Sequence, residues 1–472
     1  MRDLIVSLAL ISLFPVCFRR PLVGMMVFSW LAYMRVQDLT WGFARSFRWS
    51  FYFAIIMFAG YLVQTGRERS RLFRSDPRCY MMLAMIVIVG IGVAISDRGG
   101  QFIDLSSQVK RYVEFCKIIV IALFTTGLIK TKEHLRLLIW IIALSLGFYG
   151  VKNGIWGVMT FAQVPIKQGP GGLLFDNNDF SLAMAMAVPM LWNIGMSDPR
   201  PVLRRAFLMM VPLTAFTVLL THSRGGLLSL SGAIGVLVWR SKYRSRAIVL
   251  AMFMGLAAIP VMPDSMRERF ASIADYENDG SANARFRSWA VGARMALDNP
   301  WFGVGMQNFR GSYMRYQPNP TAQELAGKDI YVAHNSYVQV WAETGTITLS
   351  LYLGLILISF FTVWRVRKKA KERYSVSWII NYATMFEASL VAFMIGSTFL
   401  NRAHFDLVYH WISVILLFGV FAEQQMKEDD ERGGVLQDSG TRSELHQVKS
   451  GAFGARSPSS GFRNTPLAEG AR

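Results

Sequence analysis

Long apolar stretches alternate with short polar, basic stretches over residues 1–422. A helix needs about 20 predominantly apolar residues to cross the hydrocarbon core of a bilayer, and many of these stretches approach that length. Thirteen stretches qualify, at roughly 4–18, 21–36, 50–64, 79–96, 113–129, 136–158, 179–196, 205–221, 225–239, 246–262, 337–363, 376–399 and 406–422. Because the first is short and contains Pro15, we expect it to pair with the second as a hairpin. The pattern predicts an all-α, polytopic membrane helix bundle with about twelve transmembrane helices.

Lysine and arginine residues are distributed unequally between alternate connections of this bundle. One set of short connections carries 23 of them and the opposite set carries 10. Since cytoplasmic loops of membrane proteins are enriched in Lys and Arg, the first set is predicted to face the cytoplasm. This orientation places residues 263–336 on the far side, which is the periplasm for an inner-membrane protein of a Gram-negative cell. It also places the tail, residues 423–472, in the cytoplasm.

Two parts of the chain lie outside the predicted membrane helices. The long segment 263–336 contains aromatic residues and the stretch "ARFRSWAVGARMAL", which predict short helices lying over the bundle. Its acidic run "ADYENDG" lacks the complete pattern of a calcium-binding loop and is interpreted as a solvated loop. The tail 423–472 is rich in Gly, Ser, Arg and Glu and has no apolar periodicity, so we predict that it is disordered.

Composition changes this picture little and excludes several classes of protein. The net charge of +19 could indicate nucleic-acid binding, but the basic residues cluster between apolar runs, as membrane topology requires. Cys17, Cys79 and Cys116 lie far apart in or beside apolar segments, without the spacing of a metal site or disulfide framework. The chain has no P-loop, no H-E-x-x-H motif and no dinucleotide fingerprint. We therefore predict neither a metal nor another cofactor.

One histidine stands where the chain enters a predicted membrane helix, in "YVAHNSYVQVWAETG". Ser336 and Gln339 have the S-x-x-Q spacing of a capping box, which places His334 just outside the helix entrance. The partial positive charge of a helix amino terminus disfavours a protonated imidazole and favours anions. A neutral histidine beside an anion site is a candidate general base. The alternative is an ordinary polar linker residue.

Two arginines are predicted to lie on the same side of the membrane as His334. Arg224 stands at the outer end of an apolar segment, where a charge is costly unless it snorkels, pairs or binds a ligand. Arg285 precedes Trp289 by four residues and shares a helix face with it, whereas Arg287 lies about 200° further round that helix. We therefore choose Arg285 as the residue that faces the site. Two arginine forks near His334 predict a diphosphate clamp, and the alternative is a snorkelling Arg224 with surface charges on the helix.

Several motifs together resemble a known family. In order along the chain, "THSRGGLLSL", "ARFRSWAVGARMALDNPWFGVGMQNF" and "AHNSYVQVWAETGTITLSLYLGL" are similar to the signature block of the O-antigen ligase and polymerase superfamily. The stretches "MRDLIVSLAL", "LTWGFA" and "FDNNDFSLAMAM" resemble the subgroup of exosortase-associated O-glycosylation ligases. The resemblance covers residues 1 to about 422, and the tail has no recognised counterpart.

The resemblance implies a membrane enzyme of the metal-independent glycosyltransferase C type. Such an enzyme takes a glycan from a polyprenyl diphosphate at the periplasmic leaflet and transfers it to a hydroxyl with inversion of the anomeric centre. The family's essential arginines correspond to Arg224 and Arg285, and its loop histidine corresponds to His334. We also assign Arg287 and Asn335 to substrate binding.

Two asparagines at another helix entrance on the outer side, Asn177 and Asn178, complete the predicted substrate-binding set. They could hydrogen-bond sugar or phosphate, and helix capping is the alternative.

Two other functions stay open at this point. A glycan polymerase of the same superfamily would use another lipid-linked glycan as its acceptor. A non-catalytic transporter or scaffold would hold the lipid-linked glycan without transferring it, but transporters commonly show internal repeats and broken helices at the midplane. Because no clear repeat is visible and the polar residues gather at the outer surface, the sequence favours the enzyme.

Overall fold

The computed structural model describes residues 1–64, 71–96, 105–258, 267, 280–327, 330, 332–374, 377–401, 403 and 405–431. These residues form helices and turns, with one isolated antiparallel bridge between Gln168 and Asp176. The first helices are α1 (Arg2–Ser12), α2 (Phe14–Arg19), α3 (Pro21–Met34), α4 (Phe43–Ser46), α5 (Trp49–Val63), α6 (Pro77–Ile95), α7 (Leu105–Leu128), α8 (Lys132–Met159), α9 (Asn177–Ser197), α10 (Pro201–Leu220), α11 (Arg224–Arg240) and α12 (Arg244–Ala258). The later ones are α13 (Gly280–Asp298), α14 (Phe309–Tyr316), α15 (Ala322–Leu325), α16 (Ser336–Arg373), α17 (Trp378–Ser397) and α18 (Asp406–Glu431).

Each predicted apolar segment contains a helix, and the first is divided into α1 and α2 at Leu13. Among the described residues, seven helices are long and apolar enough to cross a membrane, namely α6, α8, α9, α10, α16, α17 and α18. The predicted count of about twelve is therefore not confirmed. The helices α3, α5, α11 and α12 have 14, 15, 17 and 15 residues, which is short of the usual 20 or so. The longer α7 carries charged residues in its first half.

The distribution of buried and exposed side chains fits a helix bundle in lipid. α9, α17 and α18 are the most deeply buried of the seven long apolar helices. α9 contacts α8, α10, α11 and α17, and α18 contacts α7 and α16. Large apolar side chains such as Met209, Leu357 and Phe361 are exposed on the outside of their helices. These helices point to a multi-pass membrane protein, because lipid is as apolar as such surfaces.

A layer of short helices, α13, α14 and α15, lies near the beginning of α16, which α13 and α14 contact. Val291 and Met295 of α13 are buried together with Phe309 and Tyr313 of α14 and with Ala342 of α16. The helix predicted for "ARFRSWAVGARMAL" is thus confirmed as part of α13. The acidic run "ADYENDG" lies outside the described residues, apart from its last residue, Gly280.

α16 is broken at Gly345, whose backbone is non-helical with φ 82°. The turn 300–305 fills the break. Thr346 N donates to Pro300 O at 2.8 Å, and Gly305 N donates to Glu343 O at 3.0 Å. A side chain at Gly345 would place its Cβ 2.3 Å from Trp301 O, so glycine permits both the conformation and the close approach. The first part of α16 is consequently fastened to the layer of short helices rather than to the bundle alone.

The predicted tail begins at residue 423, but α18 continues to Glu431. Arg373 at the end of α16 donates to both carboxylate oxygens of Asp430, at 3.2 and 2.9 Å. Glu423 Oε1 lies 3.2 Å from Arg365 Nη2. Acidic residues in this part of α18 thus pair with the basic end of α16, and the domain boundary at 422/423 stays a prediction. Residues 432–472 lie outside the described residues.

Candidate functional site

Arg224 is the first residue of α11, directly after the α10–α11 turn. Ser223 caps this helix, since its Oγ accepts from Gly226 N at 3.2 Å. The same hydroxyl donates to Asn178 Oδ1 at 2.7 Å. Gly226 lies against Ser181 of α9 so closely that a Cβ would come within 1.7 Å of the serine Oγ. The entrance of α11, and with it Arg224, is held against the beginning of α9.

Asn177 and Asn178 take part in the same contact. α9 is capped by Asp176, whose side chain accepts from Asn178 N at 2.9 Å. Asn177 Nδ2 donates to Thr221 O at 3.0 Å, at the end of α10. The asparagines therefore do not cap α9 but join it to the α10–α11 turn. Substrate binding by them stays a prediction.

A buried carboxylate next to these asparagines was not predicted from the sequence. Asp179, in the first turn of α9, is 2 % exposed. A helix amino terminus stabilises such a carboxylate. The signal was present in "FDNNDF", where a second Asp follows the capping one by three residues.

His334 stands immediately before the residue that caps α16, so its predicted place at a helix entrance is confirmed. The capping residue, however, is Asn335, whose Oδ1 accepts from Tyr337 N at 2.9 Å and from Val338 N at 3.1 Å. The predicted capping box of Ser336 and Gln339 is wrong. Ser336 Oγ instead donates to Leu400 O at 2.7 Å. Gln339 Nε2 donates to Glu343 within the helix, at 3.3 Å.

Asn335 was predicted to bind substrate, but in the structure its side-chain oxygen accepts hydrogen bonds from the backbone of α16. The residue is only 5 % exposed, and its Oδ1 holds two helix amides. Its visible role is to cap α16. Binding through the rest of its side chain stays a prediction.

Two histidines share an uncommon backbone conformation. His334 has φ 46° and His222 has φ 53°, both in the left-handed region. Each precedes the capping residue of a helix, α16 for His334 and α11 for His222. Such conformations are sparsely populated by residues with a Cβ, and they cluster at functional sites. The two helix entrances therefore have the same local construction.

One short segment after α17 joins these two entrances. A Cβ on Gly225 would lie 3.2 Å from Phe399 Cβ, and Ser336 Oγ bonds to Leu400 O. Asn335 N donates to Asn401 Oδ1 at 3.3 Å. The segment 399–401 thus touches the neighbours of both Arg224 and His334. Its role was not predicted, although "NRAHFD" is a polar interruption between two apolar segments.

α13 reaches the His334 turn through a tryptophan. Trp289 Nε1 donates to Ala333 O at 2.7 Å, and Ala333 is the residue before His334. Arg285 precedes Trp289 by one helical turn and is half-buried. The structure therefore places the Arg285 face of α13 beside the turn that carries His334.

Arg287 has different surroundings. It lies close enough to Glu324 and Tyr313 to affect both side chains electrostatically. Burial raises the pKa of Glu324, but hydrogen bonds from Thr321, Tyr313 and Gln317 and the charge of Arg287 outweigh it, so the net pKa is lowered. Arg287 thus helps to hold α13, α14 and α15 together. Substrate binding by Arg287 stays a prediction.

The elements carrying Arg224, Arg285 and His334 meet at one end of the bundle, although these residues are far apart in sequence. The contacts of their neighbours Gly225, Trp289 and Asn335 bring the three elements to the segment 399–401 and to Ala333, and a shared site for the two arginines and the histidine stays a prediction. In the part of the chain that the structure describes, no group of three or more His, Cys, Asp or Glu side chains could hold a metal ion. The arrangement supplies positive charge for an anion and an imidazole for proton transfer.

Comparisons with known proteins match two parts of the chain. The model of the O-antigen ligase family matches residues 208–353, which include Arg224, Arg285 and His334. Residues 1–164 match a family of unknown function (DUF5935). The O-antigen ligase of Pseudomonas aeruginosa (strain PAO1) is 24 % identical over 238 residues, which are 50 % of this chain and 52 % of that protein. The chain thus aligns with about half the length of that relative.

These similarities support a relationship to the O-antigen ligase superfamily. They do not confirm the resemblance to exosortase-associated ligases. Asn177 and Asn178 lie outside both matched ranges.

The contact between Trp289 and Ala333 can be tested directly. We expect Trp289→Phe to lower the free energy of unfolding by about 0.5–1.5 kcal/mol, since the ring stays but one hydrogen bond is lost. Glycan transfer should fall as well, because the His334 turn loses a restraint. Unfolding in detergent and transfer by the purified protein are the measurements. Trp156→Phe, at a half-exposed tryptophan of α8, is the matched control. Equal behaviour of the two variants would contradict the positioning role.

Proposed function

We propose that this protein is a membrane glycan ligase. It transfers a glycan from a polyprenyl diphosphate donor to an acceptor hydroxyl on the periplasmic side, without a metal and with inversion. The observation that carries the proposal is the meeting of the Arg224, Arg285 and His334 elements within the region that matches the O-antigen ligase family. Fold alone would not carry it, because function resides in the site.

The proposed reaction is a single displacement. His334 accepts the proton of the acceptor hydroxyl while the hydroxyl oxygen bonds to the anomeric carbon. The bond between that carbon and the diphosphate oxygen breaks, and the diphosphate leaves with increased negative charge. Arg224 and Arg285 stabilise this charge with charge-assisted hydrogen bonds. The helix entrance beside His334 favours the neutral imidazole that a base requires.

A cavity at the same end of the bundle offers room for part of a glycan. Its volume is about 350 Å³, and it lies between the end of α13, the turn 300–305 and α14. Asp298, Asn299, Trp301, Arg315 and Tyr316 are among its lining residues. Such a mixture of aromatic and hydrogen-bonding side chains suits a polar ligand with apolar faces. We assign the cavity to sugar units adjacent to the reacting one.

Reconstitution tests the function. Purified protein in nanodiscs is supplied with a lipid-linked glycan and with protein, lipid-core or lipid-linked glycan acceptors. Single glycan addition to a protein or lipid acceptor supports the ligase. A ladder of products on the lipid-linked glycan supports the polymerase instead, which would use the same base and arginines. Donor binding without transfer to any acceptor would indicate a transporter or scaffold.

Topology is tested independently of activity. In a background without native cysteines, Gln323→Cys on α15 should react with a membrane-impermeant thiol reagent in cells with a permeabilised outer membrane. Lys427→Cys near the end of α18 should not, because the Lys and Arg counts place it in the cytoplasm. Both side chains are exposed, so burial does not limit the reaction. Labelling of Lys427→Cys alone would reverse the proposed orientation.

A further inference from the structure

A second cavity lies at the opposite end of the bundle from the candidate site. Its volume is about 360 Å³, and it is bounded by the segment before α6, the end of α7 and the middle of α18. Arg71, Arg74 and Lys130 line it on one side, and Leu416 and Val420 line it on the other. The cavity therefore combines a cationic rim with an apolar wall.

The position of the cavity follows from the course of α6. The carboxyl end of α6 touches the turn 300–305, since a Cβ on Gly305 would lie 2.6 Å from Ser96 Cβ. That turn belongs to the end that carries the candidate site. The beginning of α6, beside the cavity, is therefore at the other end, where the loop charges predict the cytoplasm.

Among the described residues, no acidic side chain neutralises the cationic rim. The acidic residue in the lining, Asp76, accepts from Arg78 N, Nε and Nη2 at 2.9, 2.9 and 3.0 Å. The charge of Asp76 is therefore paired with Arg78 and not with the cations of the cavity. No carboxylate of the described residues forms an ion pair with Arg71, Arg74 or Lys130. The lining residues that the structure describes therefore carry an excess of positive charge.

Arg74 is the most informative of these cations. Its Nε is buried and has no hydrogen-bond partner among the described residues. Burial lowers the pKa of Arg74, and the charge of Arg71 lowers it further. A buried donor without a partner is unfavourable unless a ligand or water supplies the acceptor.

Specific contacts hold the backbone around Arg74 in place. Arg74 N donates to Thr126 Oγ1 at 3.1 Å, and its guanidinium carbon lies 5.5 Å from the ring centre of Phe421. A Cβ on Gly127 would lie 2.1 Å from Arg71 O, so only glycine allows the chain to cross α7 this closely. These contacts hold the segment 71–74 against α7, so that Arg71 and Arg74 line the cavity.

We propose that this cavity binds the phosphate of an anionic phospholipid. Arginine and lysine bind phosphate oxygens through charge-assisted hydrogen bonds, and basic pockets between membrane helices on the cytoplasmic side hold phosphorylated head groups. Leu416 and Val420 give the cavity an apolar wall for the start of an acyl chain, which inorganic phosphate does not use. The site is independent of glycan transfer.

The test uses the purified full-length chain in neutral detergent, stripped of lipid. Added phosphatidylglycerol should raise the midpoint of thermal unfolding, because a ligand that binds the folded state stabilises it. The double variant Arg71→Gln/Lys130→Gln should need roughly tenfold or more phosphatidylglycerol for the same shift. Both side chains are exposed, so the fold is retained. Arg204→Gln/Arg205→Gln removes two exposed charges from the same end and should respond as the native chain does.

Further measurements with other ligands identify what the cavity binds. Phosphatidylcholine and inorganic phosphate should give little shift. A full shift with inorganic phosphate would overturn the lipid assignment, and an equal loss in both double variants would reduce the effect to general surface charge. Native mass spectrometry counts the retained phosphatidylglycerol. Retention of the same number by Arg74→Gln and by the native chain would also contradict the proposal.

Discussion

His334→Ala is expected to lower glycan transfer by about 10²–10⁴-fold, roughly 3–5 kcal/mol in the barrier, while leaving donor affinity nearly unchanged. The reason is that a general base acts on the acceptor proton in the transition state and contributes little to donor binding. Transfer is measured with purified protein in nanodiscs, and donor affinity is determined separately. Arg285→Ala should weaken both, since a phosphate contact acts in the ground state as well.

His134→Ala, at the other end of the bundle on α8, is the matched histidine control and should leave transfer unchanged. The unfolding midpoint of each variant separates loss of chemistry from loss of fold. Near-normal transfer by His334→Ala between about pH 6 and 8, where imidazole titrates, would remove His334 as the base. It would then be a residue that only shapes the entrance of α16.

Glu387→Gln is expected to destabilise the fold by about 3–5 kcal/mol, the usual cost of breaking a buried charge network. Glu387 of α17 accepts from Arg240 Nε of α11 at 2.9 Å and also bonds to Arg367 of α16. Removing the carboxylate leaves two guanidinium groups together, and Arg367 is only 4 % exposed. Unfolding in detergent, followed by circular dichroism, measures the loss.

Glu423→Gln is the control for this prediction. Its partners Arg365 and Lys369 are about as exposed as Glu423 itself, so the pairs are worth at most about 1 kcal/mol. If the two substitutions had equal effects, the network at Glu387 would be no more than a surface contact. Replacing Arg240, Arg367 and Glu387 together by apolar side chains should cost less than Glu387→Gln alone, because no charge is left unpaired.

The helices were predictable because their signal is local. The predicted segment 179–196 is α9, Asn177–Ser197, and the predicted segment 225–239 is α11, Arg224–Arg240. In lipid every backbone polar group must be satisfied within the helix, so a long apolar run leaves little alternative. The count of spanning helices was less predictable, since short helices such as α3 depend on their neighbours for burial.

Part of the site was also predictable from local pattern. The placement of Arg285 and Trp289 on one face of a helix, with Arg287 elsewhere, follows from helical periodicity alone. The structure adds the partner of each face, Ala333 for Trp289 and Glu324 for Arg287. Neither partner could be inferred from spacing.

The wrong capping box and the unpredicted break in α16 share one cause, which is a long-range partner that competes with a local one. Ser336 has the spacing of a capping residue, but its hydroxyl bonds to Leu400, 64 residues away. Asn335 caps the helix instead. The break at Gly345 was likewise invisible within an apolar run, because the turn 300–305 that occupies it is distant in sequence.

The sequence by itself determined the all-helical membrane architecture, the helix within residues 284–297 and the identity of the charged groups available for chemistry, since apolar periodicity and side-chain type are local properties. Only the tertiary structure decided that the entrances of α11 and α16 meet at residues 399–401 and that α13 joins them through Trp289. Close approach at Gly226 and hydrogen bonds across 44 to 66 residues bring these parts together, and no local pattern encodes such distances.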